Sequence, residues 1–359
     1  MKISTKINNK VPLFLDKLYQ KNGFFSWSLN NDLYDSKIKW GLANTVFAVK
    51  LLSILKANIS ESQKKEIINF IKSFENKNGS INDPLVYKKT FIHNKLISIR
   101  SLNFSNFFNQ MTIMAETRQA FSVLYLLNSK PEKPFVNIPY TKKLLEKFIK
   151  SLYWDNIWAA ASHIGHEVFF LEMNSDLFNY KSDESKSLIQ VCMEAINSIQ
   201  NKVDGMWHKS GVSTKQKVNA AMKMISTFNI IKMSIPMPDK IIDFILKSES
   251  ENYYYDGCDN LNAIFVVKYA FDSCDKNYKP LQVKEFAERS LLRFEKYFFE
   301  ESGGFSFLPS SFPRNFYGLQ VTDSFKGPDI HGTFLMTWAV ALCSSILQSE
   351  TSFNADIIN

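Results

Sequence analysis

The sequence is poor in the features that mark several protein classes. Only 12 Gly and 11 Pro occur among 359 residues, which excludes collagen-like and low-complexity architectures. The four cysteines, Cys192, Cys258, Cys274 and Cys343, show no framework spacing and read as reduced thiols of an intracellular chain. No apolar run approaches the roughly 20 residues of a membrane span. The stretch from Val11 to Leu15 is too short for a signal peptide and is interrupted by Pro12. These absences predict a cytoplasmic protein with no transmembrane segment. No block of Lys and Arg and no nucleic-acid motif is present, so no nucleic-acid partner is expected.

Apolar material is plentiful. Hydrophobic residues make up 45% and aromatic residues 14% of the chain, enough for a sizeable core and too much for a disordered protein. The net charge of +8 comes from lysines spread along the whole chain. It describes either a solvated surface or a basic cavity for an anionic ligand. A chain of this length divides into about two domains unless a closed or repeating architecture lets one core keep growing.

A weak internal repeat supplies that architecture. A turn residue, a glycine and an apolar or aromatic residue recur as Asn22-Gly23-Phe24, Asn78-Gly79-Ser80-Ile81, Asp204-Gly205-Met206-Trp207, Asp256-Gly257-Cys258 and Gly303-Gly304-Phe305. Trp154-Asp155-Asn156-Ile157-Trp158 is a copy without the glycine. Amphipathic stretches precede the turns, as in Gln63 to Phe74 and Val283 to Phe299. Stretches apolar nearly all round follow them: Gly41 to Leu55, Ala115 to Leu127, Ala159 to Met173, Val218 to Ile231, Leu261 to Phe271 and His331 to Leu347. Amphipathic helices suit an outer layer and all-round apolar ones an inner layer. The pattern predicts an all-α (α/α)6 toroid, one domain over residues 1–359. Its ring spans about 10–348 and is followed by a short, flexible C-terminal tail, 349–359. Val86 to Phe108 and Phe305 to Lys326 read as long loops, a length usual in lids.

Chemistry in such a ring belongs to polar side chains that interrupt the apolar inner helices. Near their starts lie Glu116 and Arg118; His163, His166 and Glu167; Lys215, Asn219 and Lys223; Asp256, Cys258, Asp259 and Asn262; Asp329 and His331. Buried ionisable groups are costly unless paired, ligated or hydrated. Capping is the alternative for Asp259 and Asp329. His163 and His166, three residues apart, share a helix face and suit two metal ligands or a paired acid and base, a satisfied structural role in the core being the alternative. The candidate catalytic groups are therefore His163, His166, Glu116 and Asp329. The candidates for substrate binding are Arg118, Asn219, Lys223, Asp259, Trp207 and Arg314. Asp256, Cys258 and His331 offer a carboxylate, a thiolate and an imidazole, three zinc ligands with a fourth position open. A turn residue, a small buried hydrophobe and a capping neighbour are the alternative reading of these three.

The repeated turn-Gly-aromatic signature resembles the superfamily of squalene/terpene cyclases and protein prenyltransferase β-subunits, over about Phe14 to Leu347. Asp256, Cys258 and His331 are similar to the zinc ligands of the prenyltransferase β-subunits. There the metal activates a peptide thiolate that attacks an isoprenoid diphosphate. The resemblance implies an enzyme acting in a central cavity on a hydrophobic or diphosphate-bearing small molecule or a peptide, with zinc as cofactor. In this chain only Ile330 separates Asp329 from His331, and the Asp-x-Asp-Asp run of class II terpene cyclases does not occur. Two other readings stay open. A carbohydrate-active enzyme, a glycoside hydrolase or a lyase, would use two opposed carboxylates among Glu116, Glu167, Asp256, Asp259 and Asp329, or a His or Tyr base for lyase action, with Trp27, Trp40, Trp158 and Trp207 stacking on sugars. A non-catalytic binding or assembly module would fill its interior with Phe169, Phe170, Met222 and Phe265.

Overall fold

A computed structural model describes residues 3–101, 106–209, 211–275, 278–349 and 353–357. They are mostly helical. The elements run α1 (Ile3–Leu18), β1 (Tyr19–Lys21), β2 (Phe24–Phe25), α2 (Leu42–Ile54), α3 (Glu61–Ser73), α4 (Pro84–Ser101), α5 (Gln110–Leu126), α6 (Lys142–Ser151) and α7 (Ile157–Phe178). They continue α8 (Ser182–Ser198), α9 (Thr214–Ile230), α10 (Pro238–Ser248), α11 (Gly257–Ser273), α12 (Pro280–Phe294), β3 (Phe298–Phe299), β4 (Gly304–Phe305), β5 (Asn315–Phe316), β6 (Leu319–Gln320) and α13 (Ile330–Ile346). The strands form three antiparallel two-stranded pairs in sequence order. Among the described residues no helix is long and apolar enough to cross a membrane.

Two kinds of helix alternate, as their sequences require. α3 buries only Ile67 and Ile71, and α6 only Leu145. α10 turns Ile241, Ile242 and Ile245 inward. In contrast, α13 buries all but a few of its residues, and α2, α7 and α9 are buried on most of their circumference. Side-chain caps set several starts. Ser60 Oγ accepts from Gln63 N–H at 3.1 Å, and Ser213 with Gln216 forms a reciprocal capping box on α9.

The chain resolves into two compact units. The first holds Met1–Glu132, Asp256–Cys258 and Ser290–Asn359, and the second Lys133–Tyr255 and Asp259–Arg289. In the first, α13 packs along α2, α2 along α5, and α1 along α13. In the second, α7 is central, packed on both α8 and α9.

Turn glycines place the helices at close range. Gly23, at φ 81°, completes the β1–β2 turn with Asn22 at φ 54°. A Cβ on Gly23 would come within 2.5 Å of the Glu66 carbonyl oxygen on α3. The glycine holding left-handed backbone in the last repeat is Gly303, at φ 84°, and not its neighbour Gly304. Its missing Cβ would meet the Lys10 carbonyl oxygen at 2.6 Å.

Two expectations are corrected here. Val86 to Phe108 is not a long loop, because most of it is α4. The described part of the tail, 353–357, is held in place: Asn354 N–H donates to Ile54 O and Trp338 Nε1–H donates to Ala355 O, both at 2.8 Å. The Phe305 to Lys326 region is largely irregular, as expected, but carries the β5–β6 hairpin, whose turn puts Tyr317 at φ 47° and Gly318 at φ 73°.

Candidate functional site

Glu116 leads the first unit's polar interior. It lies on α5, 5% exposed, and accepts the Asp83 N–H through Oε2 at 3.2 Å. Its Oε1 is buried and accepts no hydrogen bond from the described residues. Burial, and then the nearby Asp83 carboxylate, push its pKa well above the ordinary range, which favours the protonated form. Asp83 is itself buried, which raises its pKa. Its two oxygens serve two helix starts: Oδ2 accepts from Gly41 N–H at 2.7 Å before α2, and Oδ1 from Leu85 N–H at 2.9 Å in α4.

One turn beyond Glu116, Gln119 receives a buried cation. Lys50 on α2 is fully buried, donates to Gln119 Oε1, and holds its ammonium 5.5 Å from the centre of the Phe334 ring. Residues 116 and 119 share a face of α5, so the acid and the lysine's partner lie on one side of that helix. Sequence reasoning passed over Lys50. The signal was there: it is the single charge in the otherwise uncharged α2.

An aromatic wall stands beside them. His331 is stacked between Phe47, 4.7 Å away at 16°, and Phe307, 5.0 Å away at 20°. Phe47 also stacks on Phe334 at 5.4 Å. Burial among these groups lowers the His331 pKa to about 3, leaving a neutral ring. The β5–β6 hairpin delivers Phe316 to the same cluster, 5.2 Å from Trp27 and 5.9 Å from Phe47. Next to it, Tyr317 keeps 45% of its surface exposed. Its phenol is enclosed closely enough that burial, with the charges of Glu116 and Cys258, raises its pKa. Neither Tyr317 nor Asp83 stands out in the sequence, since both sit in connections whose path the helical periodicity does not describe.

Asp329 is a structural cap. It is wholly buried, accepts Gly332 N–H through Oδ1 and Phe307 N–H through Oδ2, both at 2.8 Å, and burial raises its pKa to about 7. Asp256 and Cys258 are both half-buried at the start of α11, where Gly257 N–H donates to Phe307 O at 2.8 Å. Among the described residues no three His, Cys, Asp or Glu side chains come together as metal ligands. Asp256, Cys258 and His331 are therefore not gathered as a ligand group here, and it is the faces of the His331 ring, not its nitrogens, that stacking engages.

The other expected residues divide by environment. Arg118 is buried, and burial lowers its pKa to about 10. Arg314 is exposed, 5.0 Å from the Phe325 ring. In the second unit Asp259 is buried and paired with Lys215 at 2.8 Å, and Asn262 donates to Asn219 at 2.8 Å, joining α11 to α9. Lys223 is half-buried on α9. His163 is half-buried with its pKa lowered to about 4 by burial, and His166 lies 3.5 Å from Ser162 Oγ. Glu167 is buried near Cys192 and Tyr140, whose own pKa values its charge helps raise, and burial raises the Glu167 pKa well above the ordinary range. Trp207 is packed against Phe228 at 5.9 Å; Trp27, Trp40 and Trp207 are all buried and offer no face to a sugar, whereas Trp158 is 48% exposed. Phe169, Phe170, Met222 and Phe265 are buried too.

Compared with protein families, with curated proteins and with solved structures, the chain matches none.

Proposed function

We propose that the chain is an (α/α)6 toroid enzyme that acts on a hydrophobic substrate bearing an anionic head such as a diphosphate. Support for the ring comes from the alternation of amphipathic and all-round buried helices. Three turn glycines add to it, because each lies against an outer helix or the first helix. Gly23 lies against α3 and Gly205 against Lys240 and Ile241 of α10, while Gly303, after the last such helix, lies against Lys10 of α1. A closed ring requires its last turn to meet its first helix, and α13 to pack along α2.

The observation that carries the chemistry is the interior of the first unit. There α5 presents the neutral acid Glu116 and, one turn on, Gln119 with the Lys50 ammonium. Lys50 is the charge for an anionic head, and Phe47, Phe316 and Phe334 form an apolar wall for a hydrocarbon. Glu116 carries a proton at neutral pH and serves as the general acid toward a leaving group or an alkene. Tyr317, exposed on one side and enclosed at its phenol, borders the same corner. A zinc ion at Asp256, Cys258 and His331 is not built into this reading, and elemental analysis of the purified protein decides it separately.

The test is turnover. Linear isoprenoid diphosphates are incubated with the wild type and with Glu116→Gln, and products are read by mass spectrometry. Conversion by the wild type and its loss in the variant are expected. Conversion of oligosaccharides with the diphosphates untouched, or equal turnover by both proteins, would overturn the proposal.

A further inference from the structure

α4 wears its polarity inside out. Its docked side is Val86, Thr90, Asn94 and Ser98, at four-residue spacing, with Val86, Thr90 and Ser98 buried. Polar bonds hold that side. Asn109 Nδ2 donates to Thr90 Oγ1 at 2.7 Å, Thr90 donates to the Val86 carbonyl at 2.7 Å, and Asn94 donates to Asn109 at 2.6 Å. The outward side carries Ile92, Leu96 and Ile99, exposed by 56%, 63% and 59%. These lie four and seven residues apart on one face, and Phe108, 72% exposed, follows shortly after the helix. A helix in water normally does the reverse.

Cations border the apolar stripe on both sides. On a helical projection Lys88 and Lys95 fall on one flank and Lys89 and Arg100 on the other. No acidic residue occurs anywhere in α4, and the whole chain carries +8. The Lys95 ammonium lies 4.2 Å from the Phe91 ring, its stem along apolar surface and its head at the border.

From this face we infer that α4 is a membrane-surface element, lying in the interface of an anionic lipid bilayer. Ile92, Leu96 and Ile99 enter the acyl boundary, and the four cations meet the headgroup phosphates. The charge distribution selects this occupant over a second copy of the chain. A two-fold contact would set the face against itself and oppose four cations to four cations with no acid between them. This inference stands independently of the reaction proposed above.

Co-sedimentation with phosphatidylcholine vesicles, with and without phosphatidylglycerol, tests it on the full chain. The wild type should bind the phosphatidylglycerol vesicles and be released by salt. Binding should fall about tenfold or more in Ile92→Glu/Leu96→Glu and in Lys88→Glu/Lys89→Glu. All four positions are outside the core, so unchanged thermal melting keeps the readout on the surface. In a second measurement, the tryptophan emission of Leu96→Trp should shift to the blue on phosphatidylglycerol vesicles. Wild-type protein that stays in solution with both vesicle types would overturn the inference. So would an unshifted tryptophan, or a dimer that Ile92→Glu/Leu96→Glu dissociates while vesicle binding is unchanged.

Discussion

Asp83 N–H donates to Glu116 Oε2 at 3.2 Å while the Asp83 carboxylate accepts backbone donors at the starts of α2 and α4. The two acids therefore share one buried corner but differ in role. Asp83 is satisfied by helix starts, and Glu116 is left with a buried carboxyl oxygen that accepts nothing from the described residues. The difference favours the protonated form at Glu116, whose carboxyl has fewer donors to satisfy it.

Glu116 should impose a pH dependence on stability. Its folded-state pKa is raised, so the folded state holds a proton that the unfolded chain releases at lower pH. Stability is then fully present below the unfolded value of about 4.5 and falls as pH rises toward the folded value. Urea unfolding of the wild type should show this loss as pH rises above about 5. Glu116→Gln should fold and lose less over the same range, because Asp329 and Glu167 titrate alike in both proteins. Parallel curves would contradict the assignment.

His331 acts with the opposite sign. Its folded pKa is lowered to about 3 from 6.5, so its contribution is present above 6.5 and is lost as pH falls through about 3. Replacing it by Phe keeps a ring between Phe47 and Phe307 and removes the titration. His331→Phe should unfold at lower pH than the wild type in an acid titration followed by circular dichroism. An unchanged acid midpoint would count against a half-buried, neutral His331.

The turn glycines should rank by their neighbours. Gly318 has φ 73° but nothing within 4 Å of where a methyl group would stand, whereas Gly303 faces the Lys10 carbonyl oxygen at 2.6 Å. Gly318→Ala should cost about 1 kcal/mol from its backbone conformation alone. Gly303→Ala should cost clearly more, because two backbones must separate. Denaturant midpoints of the two variants decide the order, and equal costs would remove the close approach from the account.

Lys50 should bind the anionic head. Calorimetry with inorganic pyrophosphate should show binding to the wild type and about tenfold or weaker binding to Lys50→Met, with the helical signal preserved. Equal affinity would remove Lys50 from the site.

Much of the helical order was legible because burial leaves a periodic trace. The six stretches apolar nearly all round coincide with α2, α5, α7, α9, α11 and α13, and Gln63 to Phe74 with α3. α4 was not legible, because it is apolar on its exposed side and polar on its docked side, so no single stripe marks a buried face. The site was legible in part. Glu116 stood out as a charge within an apolar helix. Asp329 stood out for the same reason and proved to be a cap, since a start-of-helix carboxylate looks alike in both roles. Asp83 and Tyr317 lie in connections, where their placement depends on Gly41, Leu85 and the Tyr317-Gly318 turn and not on a repeating pattern.

The central claim is that Glu116 is a protonated acid in the interior of the first unit. Infrared difference spectroscopy of the wild type against Glu116→Gln at neutral pH tests it most directly. The account predicts a carbonyl stretch of a protonated carboxylic acid in the wild type that is missing from the variant. A difference spectrum showing instead the loss of an ionised carboxylate would contradict it.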